Sequence, residues 1–241
     1  MKLRVVEDAH ELAVAAAAEV ADVVADQPDA LLLAATGHSP MGCYAELARL
    51  RRNGALDVSR VRVAQLDEYL GLGESDPRSL YGWMDRALLR PLAIGQERVI
   101  RLLDGDVEAG RAARAYDAAL RAAGGIDLAI LGLGANGHLG FNEPPSDADA
   151  ATRVVSLDPA TLESNAGYWQ GPVPARALTA GMSAILAARR VLLLVSGRAK
   201  ASILDRMLRS GPDPGLPASL LHDHPDAIVL ADRAARPTPS A

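Results

Sequence analysis

The stretch Leu31-Leu32-Leu33-Ala34-Ala35-Thr36-Gly37-His38-Ser39-Pro40 leads from an uninterrupted apolar run directly into a glycine turn and the start of a helix. A strand with one face in water alternates apolar and polar residues, whereas a continuous apolar run is typical of a strand covered by helices on both faces. Similar runs recur along the chain and alternate with longer Ala-, Leu- and Arg-rich segments of helical period. The pattern predicts an α/β fold with a doubly wound, mostly parallel sheet and helices on both faces, as in Rossmann-like proteins.

The same alternation sets the expected element boundaries. Strands are predicted at residues 3–6, 31–36, 61–66, 99–102, 128–133, 153–157, 191–196 and 227–231. Helices are predicted at residues 8–26, 40–52, 79–90, 107–123, 159–166, 179–188 and 198–209. The length of 241 residues, 49% of them hydrophobic, is that of one domain, which we expect over residues 1–232. Residues 233–241 contain two prolines and no periodicity, which predicts a disordered tail.

Composition argues against several classes of partner. The chain has 25 basic and 30 acidic side chains, a formal net charge of −5, and no basic block of the kind that binds nucleic acid. No apolar stretch approaches the roughly 18 residues of a membrane span, and charges stand where a signal peptide would be apolar. The sole cysteine, Cys43, cannot form an internal disulfide. We therefore expect a cytoplasmic protein that binds neither nucleic acid nor membrane.

No metal site is predicted either. His222-Asp223-His224 places two imidazoles close together, but no acidic or thiolate cluster accompanies them in the sequence, so a structural role is expected for both.

In a parallel sheet, ligands bind at the carboxyl ends of the strands, so the loops that follow the apolar runs are the places to look for chemistry. The loop Thr36-Gly37-His38-Ser39 precedes a helix, an arrangement that points backbone N–H groups and the helix dipole at an anion. This pattern indicates a phosphate-binding loop. An ordinary strand-to-helix turn, with Ser39 as the cap and Pro40 in the first helical turn, explains the same residues equally well.

Two carboxylates, Asp67 and Glu68, follow the strand predicted at residues 61–66. Neighbouring side chains of an extended segment point in opposite directions, so only one of the two can enter a crevice. We predict that Asp67 enters it as a general base, provided that burial brings its pKa toward neutrality. The alternative is that both carboxylates simply cap the following turn.

A glycine-rich loop follows the strand predicted at residues 128–133. Gly132, Gly134 and Gly137 match the dinucleotide-binding spacing, but that motif requires a helix directly after the glycines. Another glycine and two adjacent prolines follow instead, so dinucleotide binding is rejected. The loop also carries His138 and Glu143, five residues apart, which predicts an imidazole oriented by a carboxylate for proton transfer.

Three segments together resemble one family. They are residues 34–42, residues 66–72 and the run Gly134-Ala135-Asn136-Gly137-His138-Leu139-Gly140-Phe141-Asn142-Glu143-Pro144. Their order and spacing are similar to those of the glucosamine-6-phosphate deaminases, also called glucosamine/galactosamine-6-phosphate isomerases, which are related to the 6-phosphogluconolactonases. The resemblance covers nearly the whole chain. Its most specific part, residues 137–144, favours the deaminase branch.

The resemblance implies an enzyme of amino-sugar metabolism that converts glucosamine 6-phosphate into fructose 6-phosphate and ammonia without a cofactor. It assigns ring opening to His138, oriented by Glu143 beside Asn136, and proton transfer between C2 and C1 to Asp67. The residues implied for binding the phosphate are Thr36, Gly37, His38, Ser39 and Lys200. The family allows a monomer or a homo-oligomer.

Several positions depart from the family pattern and mark a divergent member. Asn136 stands where many deaminases have Asp, Gly167 where an Arg grips phosphate, His38 where small residues are usual, and Val155 where the allosteric site of some members has a basic residue. These departures leave two alternatives open. One is an isomerase, deaminase or dehydratase for another phosphorylated amino or N-acetylamino sugar, and the other is a noncatalytic phosphosugar sensor.

Overall fold

A computed structural model describes residues 1–73, 75–102, 108–169 and 171–236. The strands are β1 (Lys2–Val6), β2 (Leu31–Ala34), β3 (Arg62–Gln65), β4 (Asp67–Tyr69), β5 (Val99–Ile100), β6 (Leu128–Gly132), β7 (Arg153–Ser156), β8 (Arg176–Thr179), β9 (Arg190–Val195) and β10 (Ala227–Asp232). The main sheet has seven parallel strands in the order β1-β10-β9-β6-β2-β3-β5, and a smaller antiparallel sheet has the order β4-β8-β7. The predicted α/β class with a mostly parallel sheet is confirmed.

Eight α-helices alternate with the strands over the described residues. They are α1 (Ala9–Asp26), α2 (His38–Arg52), α3 (Leu80–Met84), α4 (Arg90–Leu92), α5 (Ala109–Ala122), α6 (Pro159–Ala166), α7 (Met182–Leu186) and α8 (Ala201–Arg209). A π-helical segment, Asp85–Leu89, joins α3 to α4, so the helix predicted at residues 79–90 is one continuous helical stretch with a widened middle. No helix in the described ranges has both the length and the hydropathy needed to cross a membrane.

The central strands of the main sheet are buried on both faces, as their continuous apolar runs predict, whereas the edge strand β1 is largely exposed. Leu31 and Leu33 of β2 pack in the core cluster that contains Tyr116 of α5, whereas Leu32 packs on the opposite face with Val20 of α1. Alternate side chains of a strand point to opposite faces, so an apolar residue at every position serves two cores at once. The helices on both faces leave the carboxyl edge of the sheet open between them.

The small sheet is the main departure from the sequence prediction. Residues 153–157 were expected to form a strand, and they do, but β7 pairs with β8 rather than with the main sheet. The prediction of a helix from residue 179 is wrong at its start, since Thr179 belongs to β8 and α7 begins at Met182. Because β8 forms backbone hydrogen bonds with both β4 and β7, tertiary pairing overrides the helical composition of this segment.

Only part of the tail predicted at residues 233–241 lies within the described residues. Residues 233–236 form a turn in which Ala235 is buried and its N–H donates to Asp232 Oδ1 at 2.8 Å. The remainder of the predicted tail, residues 237–241, lies outside the described residues, as does residue 107 at the predicted start of α5.

Candidate active site

A cavity of about 360 Å³ opens at the carboxyl edge of the main sheet. Loops that follow β2, β6 and β9 meet there with the first residue of β4, as the topology of a parallel sheet requires. Most of the predicted site residues line this cavity together, namely Thr36, Gly37, His38, Ser39, Asp67, His138 and Lys200. The other two predicted site residues, Asn136 and Glu143, contact the Nδ1 atom of His138.

The predicted anion-binding loop lies at the start of α2. The helix begins at His38, two residues before the predicted start, and Gly37 is its N-cap with no side chain accepting from the first turn. Ser39 is therefore a residue of the first turn and not the cap. Gly37 has a φ of 96°, which favours glycine. The N–H groups of this turn remain without a side-chain cap beside the cavity, where the helix dipole favours an anion.

Lys200 supplies positive charge to the same cavity. It precedes α8, is partly buried, and has its pKa lowered by that burial. None of the ion pairs formed among the described residues includes Lys200. A partly buried cation without a counter-ion is stabilised when an anion binds beside it.

A buried carboxylate fixes the turn that leads to Lys200. Asp232, at the end of β10, accepts hydrogen bonds from the Ser196 hydroxyl at 2.5 Å and from the Gly197 N–H at 3.1 Å. It accepts a third from the Ala235 N–H. These bonds join the ends of two adjacent parallel strands and hold the turn after β9 in one conformation.

Asp67 has an unusual environment for a carboxylate. Its side chain is 7% exposed, it lines the cavity, and Oδ1 has no hydrogen-bond partner among the described residues. Burial, followed by the negative charge of Glu68, raises the pKa of Asp67 from 3.8 to about 7. A carboxylate of this kind can accept and return a proton near neutral pH.

His138 is held by an amide and a carboxylate. Its Nδ1 lies 2.8 Å from Asn136 Oδ1 and 3.2 Å from Glu143 Oε2, while the Asn136 amide donates to Glu143 Oε2 at 2.7 Å. Both atoms beside Nδ1 are acceptors, so the proton of the neutral imidazole resides on Nδ1 and Nε2 is left as the basic nitrogen. The predicted pairing of His138 with Glu143 is present, and Asn136 connects the two.

The charge of Glu143 is stabilised within this group. Burial acts to raise its pKa, but hydrogen bonds and charge from His138, together with hydrogen bonds from Asn136 and Thr161, outweigh burial and lower the pKa to about 2. Glu143 is therefore ionised throughout the neutral range and stabilises a protonated His138.

The glycine loop serves His138 rather than a nucleotide. A Cβ at Gly134 would lie 2.2 Å from the His138 ring, so only glycine lets the imidazole pack against this backbone. The chain after Gly137 makes a short bridge between Leu139 and Asn142, and the next regular element is β7. The absence of a helix directly after the glycines agrees with the rejection of dinucleotide binding.

Sequence reasoning missed the wall contributed by α3, α6 and the residues just after α6. Thr161 Oγ1 lies 3.4 Å from His138 Nδ1, and the rings of Trp83 and Tyr168 lie 6.5 Å and 4.5 Å from the ring of His38. Trp83 also lines the cavity. These residues come from segments distant in sequence, and no local motif marks them.

Other residues weighed from the sequence have structural contacts. The Nε2 atoms of His222 and His224 each lie 2.8 Å from a backbone carbonyl, of Met207 and Ala188 respectively. Cys43 is buried, which together with the charge of Glu46 raises the pKa of its thiol to about 12 and keeps it unreactive at neutral pH.

The sequence of this chain is similar to those of known proteins. Residues 6–230 match the model of the glucosamine-6-phosphate isomerases/6-phosphogluconolactonase family. The glucosamine-6-phosphate deaminase of Bacillus velezensis is 38% identical over 94% of this chain and 95% of its own length. That of Streptomyces avermitilis is 40% identical over 98% and 91%.

Solved structures show the same relationship. A monomeric glucosamine-6-phosphate deaminase superposes with a TM-score of 0.95 at 36% identity and covers 98% of both chains. The 6-phosphogluconolactonase of Thermotoga maritima, at 20% identity and a TM-score of 0.76 over 96% of this chain and 99% of its own, shares the fold. The match over nearly the full length, together with the site geometry, shows that this chain belongs to the glucosamine-6-phosphate isomerases/6-phosphogluconolactonase family.

Proposed function

We propose that this protein isomerises and deaminates glucosamine 6-phosphate, giving fructose 6-phosphate and ammonia. The observation that carries the proposal is the buried Asp67 carboxylate, with an unpartnered oxygen and a pKa of about 7, in one cavity with an anion-binding loop and an oriented imidazole. The relatives named as glucosamine-6-phosphate deaminases supply the substrate.

The phosphate is proposed to bind between the Thr36–Ser39 loop and Lys200. Backbone N–H groups at the start of α2 donate hydrogen bonds, and the ammonium supplies a point charge opposite the dianion. The imidazole of His38 lies at the rim of this subsite, where it contacts Tyr168. Fixing the phosphate at one end of the cavity orients the sugar carbons toward Asp67 and His138.

His138 is proposed to open the sugar ring. Nε2 removes the proton of the anomeric hydroxyl and delivers a proton to the ring oxygen as the C1–O bond breaks, which leaves a C1 aldehyde. Glu143 remains ionised during this exchange and stabilises the imidazolium, while Asn136 keeps the ring in one orientation.

Asp67 is proposed to move the proton that turns the aldose into a ketose derivative. The carboxylate takes the proton from C2, the C2–H electron pair forms the C1–C2 double bond, and the C1=O π pair moves to O1, which takes a proton from water. Asp67 then returns its proton to C1 while the lone pair of the C2 amine forms a C=N bond, which leaves an iminium at C2. Water adds to C2, loses a proton, and ammonia leaves, so that the overall reaction consumes one water molecule. No cofactor is required, because C2 is oxidised and C1 is reduced within the same sugar.

An assay of both products tests the proposal. Purified protein is mixed with glucosamine 6-phosphate, and ammonium and fructose 6-phosphate are measured together, with Asp67→Asn and His138→Gln in parallel. We expect equal rates of the two products, a loss of at least about 10²-fold in the Asp67 variant, and a loss in the His138 variant. Products that appear at unequal rates, or an active Asp67→Asn protein, would contradict the proposed mechanism.

A second candidate substrate class is favoured by the aromatic wall. His38, Trp83 and Tyr168 narrow the cavity beside the phosphate loop and give it an apolar side. If the folded protein binds phosphosugars but does not deaminate glucosamine 6-phosphate, other phosphorylated amino and N-acetylamino sugars are the next compounds to screen. Binding without turnover of any of them would indicate a sensor.

We propose that the active unit is a monomer. A deaminase structure that is 36% identical to this chain is that of a monomeric protein. Light scattering of the purified protein tests this, because a mass well above 25.2 kDa would contradict it.

A further inference from the structure

Glu68, the neighbour of the proposed base, is a buried carboxylate without an assigned role. Its side chain is 7% exposed, and it does not line the cavity. Burial of a carboxylate is costly unless hydrogen bonds replace the lost water. At Glu68 this replacement is extensive, and the donors come from three separate parts of the chain.

Five donors converge on the two oxygens of Glu68. Oε1 accepts from the backbone N–H groups of Tyr69 and Leu80, both at 2.9 Å. Oε2 accepts from the side chains of Gln65 and Ser79 at 3.0 Å and from the Tyr81 N–H at 2.8 Å. Because every partner donates, the arrangement matches the acceptors of an ionised carboxylate.

These bonds connect the segment of Asp67 to the start of α3. Ser79, Leu80 and Tyr81 are the N-cap and first two residues of that helix, so Glu68 joins β4 to its first turn. The Gln65 amide, which donates to Glu68, also donates to the backbone carbonyl of Asp67 at 3.0 Å. Through Gln65, the backbone of Asp67 is therefore tied to a side chain that Glu68 also holds.

The charge of Glu68 also reaches Asp67. The charge of Asp67 also acts on Tyr69 on β4, Tyr44 on α2 and Tyr116 on α5. His138 and Lys200 line the same cavity as Asp67. Burial raises the pKa of each of these phenols above its usual value, so all three are neutral when Asp67 titrates. Glu68 is then the charged neighbour that disfavours ionisation of Asp67.

We propose that Glu68 is a positioning residue for the reaction, which holds the Asp67 carboxylate in the cavity by fastening β4 to the first turn of α3. The proposal rests on the proposed role of Asp67 as the base. In this arrangement the carboxylate of Asp67 faces the cavity, with no partner for Oδ1 in the part of the chain that the structure describes, and the carboxylate of Glu68 accepts five hydrogen bonds on the opposite side of the strand. The paired geometry keeps Asp67 placed while its oxygen remains available for a proton.

Three variants test the charge of Glu68 and its hydrogen bonds. Glu68→Gln removes the charge and keeps the length, but puts a donating NH2 group where one oxygen accepts. Glu68→Asp keeps the charge and both acceptor oxygens and shortens the reach to α3, and Ser79→Ala removes one donor and leaves Glu68 intact. For each, kcat and kcat/KM for glucosamine 6-phosphate are measured across pH. The titration of the Asp67 carboxyl group is followed by infrared difference against Asp67→Asn.

Each variant has a different expected result. Glu68→Gln should move the acidic limb of kcat/KM, and the infrared titration of Asp67, toward lower pH, because the repelling charge is gone. Glu68→Asp should lower kcat by roughly tenfold or more with KM changed less than about twofold, because Asp67 is displaced. Ser79→Ala should leave the position of the acidic limb where it is in the unmodified protein.

Clear outcomes would overturn the inference. Glu68→Asp with unchanged kcat, or Glu68→Gln with an unmoved Asp67 titration, would show that Glu68 does not act through Asp67. If Glu68→Gln does not fold, the kcat and KM of Glu68→Asp decide the question. The infrared titration does not depend on turnover. Failure to deaminate the sugar would contradict the proposed function, and in such a protein an Asp67 titration that Glu68→Gln does not move would still overturn the inference.

Discussion

Replacing Asp67 by Asn is expected to abolish turnover and, at the same time, to raise the free energy of unfolding above neutral pH. The native protein buries this carboxylate beside a second negative charge, and Oδ1 has no hydrogen-bond partner within the described ranges. A neutral amide of the same size removes the unfavourable charge. The reaction requires the charged form, so stability and activity are expected to change in opposite directions.

The pKa of Asp67 determines the sign and the size of this effect. In the folded protein the pKa of Asp67 is about 7, compared with 3.8 for the unperturbed group. Between these values the folded state binds more protons than the unfolded state, so this group lowers the free energy of unfolding as pH rises, and the full cost is present above about pH 7. The difference corresponds to at most about 4 kcal/mol.

Urea denaturation at about pH 5 and about pH 8.5 measures this cost. The stability gained by Asp67→Asn over the unmodified protein should be greater at the higher pH, by roughly 3 kcal/mol or less, because part of the cost is already present at pH 5. Asp22→Asn, at an exposed position of α1, is the matched control and should show no such difference. An equal gain for Asp67→Asn at both pH values would refute the assignment of a raised pKa, and with it the argument for a neutral-pH base.

Two further substitutions test the rest of the cavity. Gly134→Ala would place a Cβ 2.2 Å from the His138 ring. We expect kcat to fall about 10²-fold and the free energy of unfolding to fall by about 1–3 kcal/mol. Steady-state kinetics and urea denaturation measure the two effects, and an unchanged kcat would contradict the close packing. Lys200→Met should raise KM for the phosphosugar at least about tenfold with little change in kcat, and should weaken competition by inorganic phosphate. Lys200→Arg, which keeps the charge, is its control, and an equal loss in both would argue against a role for the charge.

The relation between sequence and fold is clearest at β2. Every residue of this strand is buried, because its alternate side chains enter the cores on the two faces of the sheet. A run of apolar residues is sufficient to predict that arrangement. The small sheet is different. Residues 176–179 have no alternation that distinguishes a strand from a helix, and they form β8 because β4 and β7 supply backbone partners on both sides.

Apolar periodicity and short loop motifs are local properties, and they suffice to predict the fold class, the loops that carry the chemistry and the residue types in them. Two features of the site could not be predicted in this way. Among the described residues, Asp67 Oδ1 has no hydrogen-bond partner whereas Glu68 accepts from five donors, and Thr161, Trp83 and Tyr168 complete the cavity. Burial, hydrogen bonding and pKa depend on groups that folding brings together from distant segments, and the distances between those groups cannot be read from local sequence patterns.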